Sequence, residues 1–119
     1  MEISESNLTD SEIRSPIEIS LKNDFEDKSI VIETDDMIEL IVKALSSKTR
    51  RDILHYIRTE DNGMDVSNIA DKLRMTEANI SAQVKKLEEA NLIKCDYCSG
   101  QHGVRKISKI KYNQLLVKF

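Results

Sequence analysis

The chain has 119 residues, of which 39% are hydrophobic but only 4% aromatic, which indicates one domain with a mainly aliphatic core. No stretch approaches the roughly 20 apolar residues of a membrane span, and the acidic N-terminus lacks the apolar segment of a signal peptide. Two cysteines do not form the disulfide framework of a small secreted domain. We therefore expect a cytoplasmic protein that does not contact membranes.

The net charge of −3 conceals two regions of opposite charge. Residues 1–36 hold 11 acidic and three basic side chains, a net of −8, whereas residues 37–119 hold ten acidic and 15 basic side chains, a net of +5. Attraction to phosphates depends on the local field and not on the total charge. The composition is therefore compatible with a nucleic-acid partner.

The N-terminal third is predicted to have two parts. Residues 1–15 are polar and acidic without a clear period, which indicates a flexible tail that is either simply solvated or folds over the basic domain as an autoinhibitory segment. Within residues 16–35, "IEISL" alternates apolar and polar side chains, and "SIVIE" follows the turn-like "NDFEDK". We expect an extended or strand segment here and consider it a candidate for dimerisation.

Residues 36–119 are predicted to form the main domain, which begins with two helices. Acidic residues open "DDMIELIVKALSS", where the helix dipole favours them, and Ser46 or Ser47 is positioned to cap "KTRRDILHYIRTE". The turn signal "DNG" follows. The predicted buried stripes contain Met37, Leu40, Ile41, Ala44 and Leu45 in the first helix and Ile53, Leu54 and Ile57 in the second.

The next segment predicts a helix-turn-helix. Ser67 is positioned to cap a short helix whose apolar residues are Ile69, Ala70 and Leu73, and Thr76 is positioned to cap a longer one. Only Arg74 to Thr76 separate the two helices. The second helix buries Ile80, Val84 and Leu87 and ends near Asn91, a residue that tolerates the left-handed conformation.

The C-terminal segment predicts a wing. Leu92–Cys98 and Val104–Ile110 read as two strands around the glycine-containing tip "SGQHG", and "YNQLLVKF" as a last short strand. The predicted fold class is α+β, mainly α with a small β-sheet: a winged helix-turn-helix with a β-wing and an extra N-terminal extended segment.

Three segments, "ALSSKTRRDIL", "VSNIADKLRMTEANISAQVKKLEEANLI" and "GQHGVRKIS", resemble the ArsR-type winged-helix transcriptional regulators, most closely a prokaryotic or archaeal branch whose wing carries G-H-G-V-x-K. The resemblance covers about residues 37–117. It implies a homodimer that binds operator DNA and usually represses transcription.

The chain departs from the metal-sensing members of that family in two places. Those members carry a cysteine-rich motif similar to C-V-C in the scaffold helix, where this chain has "VSNIADKL" and no thiol. Others bind metal through a long C-terminal helix with histidines and carboxylates, and "YNQLLVKF" is short and has neither. The resemblance therefore implies no cofactor, and the first helix and the N-terminal segment are expected to replace the C-terminal helix in the dimer.

A recognition helix over residues 76–90 would place its N-terminal residues at base edges in the major groove, while a wing over residues 94–109 contacts the backbone or the minor groove. Asn79 has the chemistry for adenine, and Glu77 can accept from cytosine. The predicted base-reading residues are Glu77, Ala78, Asn79, Ser81, Ala82 and Lys85. The predicted backbone and wing contacts are Arg50, Arg51, Thr76, Lys94, His102, Arg105, Lys106 and Lys109.

Cys95, Cys98 and His102 suggest a second interpretation, a metal or redox sensor. In a regular strand Cys95 and Cys98 point to opposite faces, and structural zinc needs four ligands where this stretch has three. We therefore predict no metal site, and we expect no enzyme because no catalytic constellation is apparent. A winged helix used for protein contact is the third interpretation. The expected partners are double-stranded DNA and a second copy of the chain, and the sequence does not identify an effector.

Overall fold

The computed structural model describes residues 14–100 and 103–119. The predictions for residues 1–13 and for His102 therefore lie outside the described residues. Elements follow in the order β1 (Arg14–Asn23), β2 (Lys28–Thr34), α1 (Asp35–Leu45), α2 (Lys48–Arg58), β3 (Met64–Asp65), α3 (Val66–Leu73), α4 (Glu77–Glu89), β4 (Ile93–Gly100), β5 (Gly103–Ile110) and β6 (Gln114–Lys118).

The described strands form two three-stranded antiparallel sheets. Sheet A has the order β2-β1-β6, and sheet B has the order β3-β5-β4. The α+β winged helix-turn-helix is confirmed, although the β part is larger than the small sheet that the sequence predicted. Within the described ranges, none of the helices has the length and apolar character needed to cross a membrane.

Sheet A brings the two ends of the described chain together. Ile19 of the central strand pairs with Ile32 on one side and Val117 on the other. The alternation in "IEISL" buries Ile19 and Leu21 on the inner face, which packs against α1. The predicted hairpin and the predicted last strand are thus both present and belong to the same sheet.

The helices bury an aliphatic core. Its fully buried members are mainly isoleucines and leucines of α1–α4, and the predicted stripes of α2, α3 and α4 supply most of them. The prediction for α1 was wrong at one position: Leu40 is 42% exposed, whereas Ile38 is 5% exposed. Sheet A packs against α1, and this contact shifts the buried side of the helix toward Ile38.

Helix ends follow the capping rules, with one correction. The side chains of Ser47 and Thr76 accept hydrogen bonds from the backbone N–H groups of Arg50 and Asn79, as predicted for these caps. Ser67 does not cap α3. Asp65 does, through a 2.8 Å bond from the Asn68 N–H to Oδ1, because the helix begins at Val66, two residues earlier than the serine would require.

Candidate nucleic-acid interface

The short α3 and the longer α4 are joined by a tight turn. Arg74 adopts the left-handed conformation with φ of 55°, and the Met75 N–H donates to the Ala70 carbonyl oxygen at 3.0 Å. Ala70 is 3% exposed, so its small side chain allows the helices to approach closely. Asn91 has φ of 63° after α4, which ends that helix and starts the wing.

The solvent face of α4 contains all six predicted base-reading residues. They are exposed, while Ile80, Val84 and Leu87 are buried on the opposite face. Among the described residues, the side-chain hydrogen bonds of residues 76–85 involve only Thr76, Asn79 and Gln83. Most of this face therefore presents side chains without competing partners in the domain.

A hydrogen-bonded chain links α1 and α2 to this face. Arg50 donates through Nε to the Ala44 carbonyl oxygen at 2.8 Å and through Nη1 to Gln83 Oε1 at 2.7 Å. Gln83 Nε2 in turn donates to Asn79 Oδ1 at 3.1 Å. Arg50 thus stabilises the end of α1 and, through Gln83, orients the amide predicted to read bases.

The two predicted arginines of α2 have different surroundings. Arg51 donates to the Leu45 carbonyl oxygen at 2.8 Å and lines a groove formed with the β5–β6 connection, away from α4. Neither arginine pairs with the nearby carboxylates of Asp52 or Glu39 among the described residues, and Lys48 and Lys43 contact these carboxylates at 2.7 Å each. Of these two arginines, the structure therefore brings only Arg50 to the exposed face of α4.

The wing is a regular two-stranded ribbon. β4 and β5 pair from Ile93 opposite Ile110 at the base to Gly100 opposite Gly103 near the tip. Arg105 lies near the tip and forms an ion pair with Asp65 through Nε, at 2.8 Å, and Nη2. Asp65 is 9% exposed, so this pair fixes the wing against the start of α3.

The lysines of the wing lie farther from the tip. Lys106 Nζ approaches Glu88 Oε1 of α4 at 3.5 Å. Lys94 lies directly opposite Lys109 at the base, an arrangement that costs free energy unless an anion lies near. The pKa of Glu26 is lowered mainly by its hydrogen bond and ion pair with Lys28, and the charge of Lys94 also lowers it.

The cysteines occupy opposite faces of β4. Cys95 Sγ is 3.4 Å from Ser108 Oγ, and burial raises the pKa of this thiol, which keeps it protonated. Cys98 is exposed. Within residues 14–100 and 103–119, no three histidine, cysteine, aspartate or glutamate side chains are grouped to hold a metal ion.

Sequence analysis did not identify Asp65, and it did not predict the contact between Gln83 and Arg50. Asp65 caps α3 and also binds Arg105, and it lay two residues before the serine that was expected to cap the helix. Its position just before an apolar helical segment was a usable signal. The role of Gln83 depends on the approach of Arg50 from another helix, so no local pattern indicated it.

Comparison with known proteins supports this description. Residues 45–96 match the model of a family described as "Helix-turn-helix domain". That family is defined by a fold and is not an enzyme class. No curated protein gives a significant match to the chain.

Two solved structures are similar to the chain. The first is the homodimeric winged helix-turn-helix DNA-binding domain, fragment 1–100, of Mb0332 from Mycobacterium bovis, a possible ArsR-family transcriptional regulator. It has 24% identity and a TM-score of 0.55, and the match covers 63% of this chain and 64% of that one. The second is NolR from Sinorhizobium fredii, with 20% identity, a TM-score of 0.51 and coverage of 64% and 72%. The matches thus span about two thirds of each relative, and they show a winged helix-turn-helix fold.

Proposed function

We propose that this winged helix-turn-helix protein is a sequence-specific double-stranded DNA-binding transcriptional regulator that acts as a homodimeric repressor. The α4 helix would enter the major groove, and the wing would lie along the backbone or in the minor groove. Bases would be read by the exposed face of α4, with Asn79 and Ser81 supplying hydrogen bonds and Lys85 a charge.

The observation that carries the proposal is the exposed, polar and largely unpaired first half of α4, held directly after a tight turn and before a wing. The N-cap Thr76 and the N-terminal end of α4 also present backbone N–H groups, which favour phosphate. The opposed Lys94 and Lys109 would lose their mutual repulsion beside a phosphate. Arg105 can contribute through Nη1, because Asp65 occupies only Nε and Nη2.

Selection from a random double-stranded DNA pool, followed by binding measurements on the retained sequence, tests this function. If a dimer neutralises about eight phosphates, log K should fall with log salt at a slope of about −7. The selected site should bind at least about 1,000-fold more tightly than scrambled DNA. A flat salt dependence, or retention of no common sequence, would reject DNA binding and favour a protein-contact module.

For the dimer, we propose the outer face of sheet A as the contact. A strip across that face consists of Val31, Ser20 and Leu116, and its two apolar members, Val31 and Leu116, are 48% and 53% exposed. The Mb0332 domain is homodimeric, which supports a dimer here as well. A second copy related by a two-fold axis would cover the strip with its own.

Light scattering after size-exclusion chromatography tests the dimer. We expect Leu116→Asp to give monomers where the native chain gives dimers. Val104→Asp is the matched control, since Val104 is also an exposed apolar strand residue, at 69%, but lies in the wing. Dimers that persist in Leu116→Asp would reject this interface without affecting the DNA proposal.

A further inference from the structure

A groove separate from the α4 face lies between α2 and the β5–β6 connection. Its volume is about 270 Å³, close to the lower end of small-molecule sites, which run from about 300 Å³. One wall is a single face of α2, because Arg51, Leu54, His55 and Arg58 follow the i, i+3, i+4, i+7 spacing. Ile110, Tyr112 and Leu115 contribute to the other wall.

The groove combines an apolar interior with a cationic rim. Half of its lining is aliphatic, and the buried Leu21 and Leu92 lie at its floor. Two arginines and a histidine line it, and none of the aspartates or glutamates in residues 14–100 and 103–119 does. Among the described residues neither Arg51 nor Arg58 forms an ion pair: Arg51 donates to a carbonyl oxygen, and Arg58 Nη2 lies 3.4 Å from His55 Nδ1.

We propose that this groove binds a small amphipathic carboxylate, an organic acid with a short hydrocarbon chain or ring. The hydrocarbon part would cover Leu54, Leu92 and Leu115, and the carboxylate would accept hydrogen bonds from the Arg51 or Arg58 guanidinium in the bidentate manner that suits this pair. A bare inorganic anion would leave the aliphatic surface in water, and a neutral hydrocarbon would leave the arginines unmatched.

The site would lie at a junction of the molecule. Leu92 follows α4 directly, and its carbonyl oxygen accepts from the Lys111 N–H at 3.1 Å. Ile110 ends β5 of the wing, while Leu21 and Leu115 belong to sheet A. A molecule in the groove would therefore touch the segments that connect the recognition helix, the wing and sheet A.

Octanoate is the test ligand, titrated into the full-length protein by calorimetry and by methyl NMR, with acetate, octan-1-ol and octylamine as head-group and chain controls. We expect octanoate to bind at least about 10-fold more tightly than any control, since a charge-assisted hydrogen bond is worth about one decade or more. Shifts should centre on α2 and residues 110–115. No DNA is present, so the outcome is independent of the proposed regulatory function.

Arg58→Gln should weaken octanoate binding about 10-fold, because Arg58 supplies the charge yet contacts only His55 within the described domain. Arg51→Gln provides a second variant, and Arg14→Gln, the same substitution at an exposed position on β1, should leave binding unchanged. Circular dichroism confirms folding. Equal affinity for octanoate and octan-1-ol, shifts that centre elsewhere, or equal loss in Arg14→Gln would overturn the proposal.

The same full-length protein also tests two alternative occupants of the groove. A full-length variant with amides at Glu2, Glu5, Asp10 and Glu12 tests the chain's own acidic segment. Octanoate binding that appears only in that variant would assign the groove to residues 1–13 and overturn the small-molecule proposal. Conversion of dimers to monomers by Arg58→Gln would assign the groove to a second copy, with the same consequence.

Discussion

The solvent face of α4 and the wing both carry residues that sequence analysis predicted to contact DNA, but the two surfaces differ in how many of these side chains have partners within the domain. On α4, Ser81 and Lys85 are exposed without side-chain partners among the described residues. In the wing, Arg105 is paired with Asp65 and Lys106 approaches Glu88. Part of the positive charge of the wing is therefore used in ion pairs that fix the position of the wing within the domain.

The difference suggests a division of labour. Two of the wing cations, Arg105 and Lys106, hold the ribbon against α3 and α4, so that the ribbon has a defined orientation relative to the helices. The α4 face is left open, and only Asn79 is oriented in advance, through Gln83 and Arg50. We expect wing substitutions to change stability and α4 substitutions to change discrimination between DNA sequences.

The largest expected effect comes from Asp65→Ala. This change removes the α3 cap and leaves the Arg105 guanidinium without its partner, and we expect the free energy of unfolding to fall by about 3 kcal/mol. Urea denaturation measures it. Arg105→Ala is the control that keeps the α3 cap. It leaves the Asp65 carboxylate, whose side chain is 11% exposed, without its cation, so it isolates the ion pair and should cost about 1–3 kcal/mol. Equal small losses would show that the pair does not fix the wing.

Gly63→Ala should destabilise the wing base by about 2 kcal/mol, measured by the same denaturation. Gly63 has φ of 82°, and an added Cβ would lie 2.6 Å from the Ser108 carbonyl oxygen of β5. Gly103→Ala is the control, because Gly103 has φ of 101° but an added Cβ there would meet only open space. It should cost less, since it introduces backbone strain without a steric clash. A tolerated Gly63→Ala would mean that β3 can shift away from β5.

Asn79→Ala should lower the preference for the selected DNA over scrambled DNA by about 10-fold, measured by fluorescence anisotropy, because one bidentate base contact is worth about 1–3 kcal/mol. Stability should change little, since Asn79 is exposed. Gln83→Ala should produce a smaller loss in the same direction by releasing the Asn79 amide. Lys106→Ala, the wing control, should weaken binding to both DNAs alike.

The smallest expected effect concerns the two faces of β4. Cys98 should react with a disulfide reagent several-fold faster than Cys95 at neutral pH, because burial raises the pKa of the Cys95 thiol and only the thiolate attacks. Because this pKa is raised, the contribution of the half-buried Cys95 thiol to folded-state stability is fully present below its unfolded-state pKa. It is lost as the pH rises through the raised folded-state pKa. The Cys98→Ser and Cys95→Ser variants identify which cysteine gives each rate. Equal rates would contradict the placement of the two thiols on opposite faces of β4.

The order of elements could be predicted from the sequence because local signals specify it. Alternation indicated β1, 3–4 residue spacing indicated the helices, and the three residues from Arg74 to Thr76 indicated the turn. These patterns also identified the exposed face of α4, since a buried stripe of Ile80, Val84 and Leu87 leaves only one side for solvent. The assignment of those residues to bases remains a prediction.

What the sequence could not indicate were contacts between distant segments. The cap of α3 was assigned to Ser67 and is Asp65, and the partner of Arg105 lies 40 residues away along the chain. The arginines at positions 50 and 51 are neighbours in sequence, but successive residues of a helix point about 100° apart. One consequently reaches Gln83 and the other lines the groove.

The sequence by itself determined the helices, the turn, the wing and the open face of α4, because periodicity, caps and turns act over a few residues. Only the tertiary structure decided that β1 pairs with β6, that Asp65 takes up the Arg105 charge, and that Arg51 and Arg58 meet an apolar groove. Each of these contacts depends on which surfaces pack against one another, and that packing is determined by the burial of side chains that are distant in sequence.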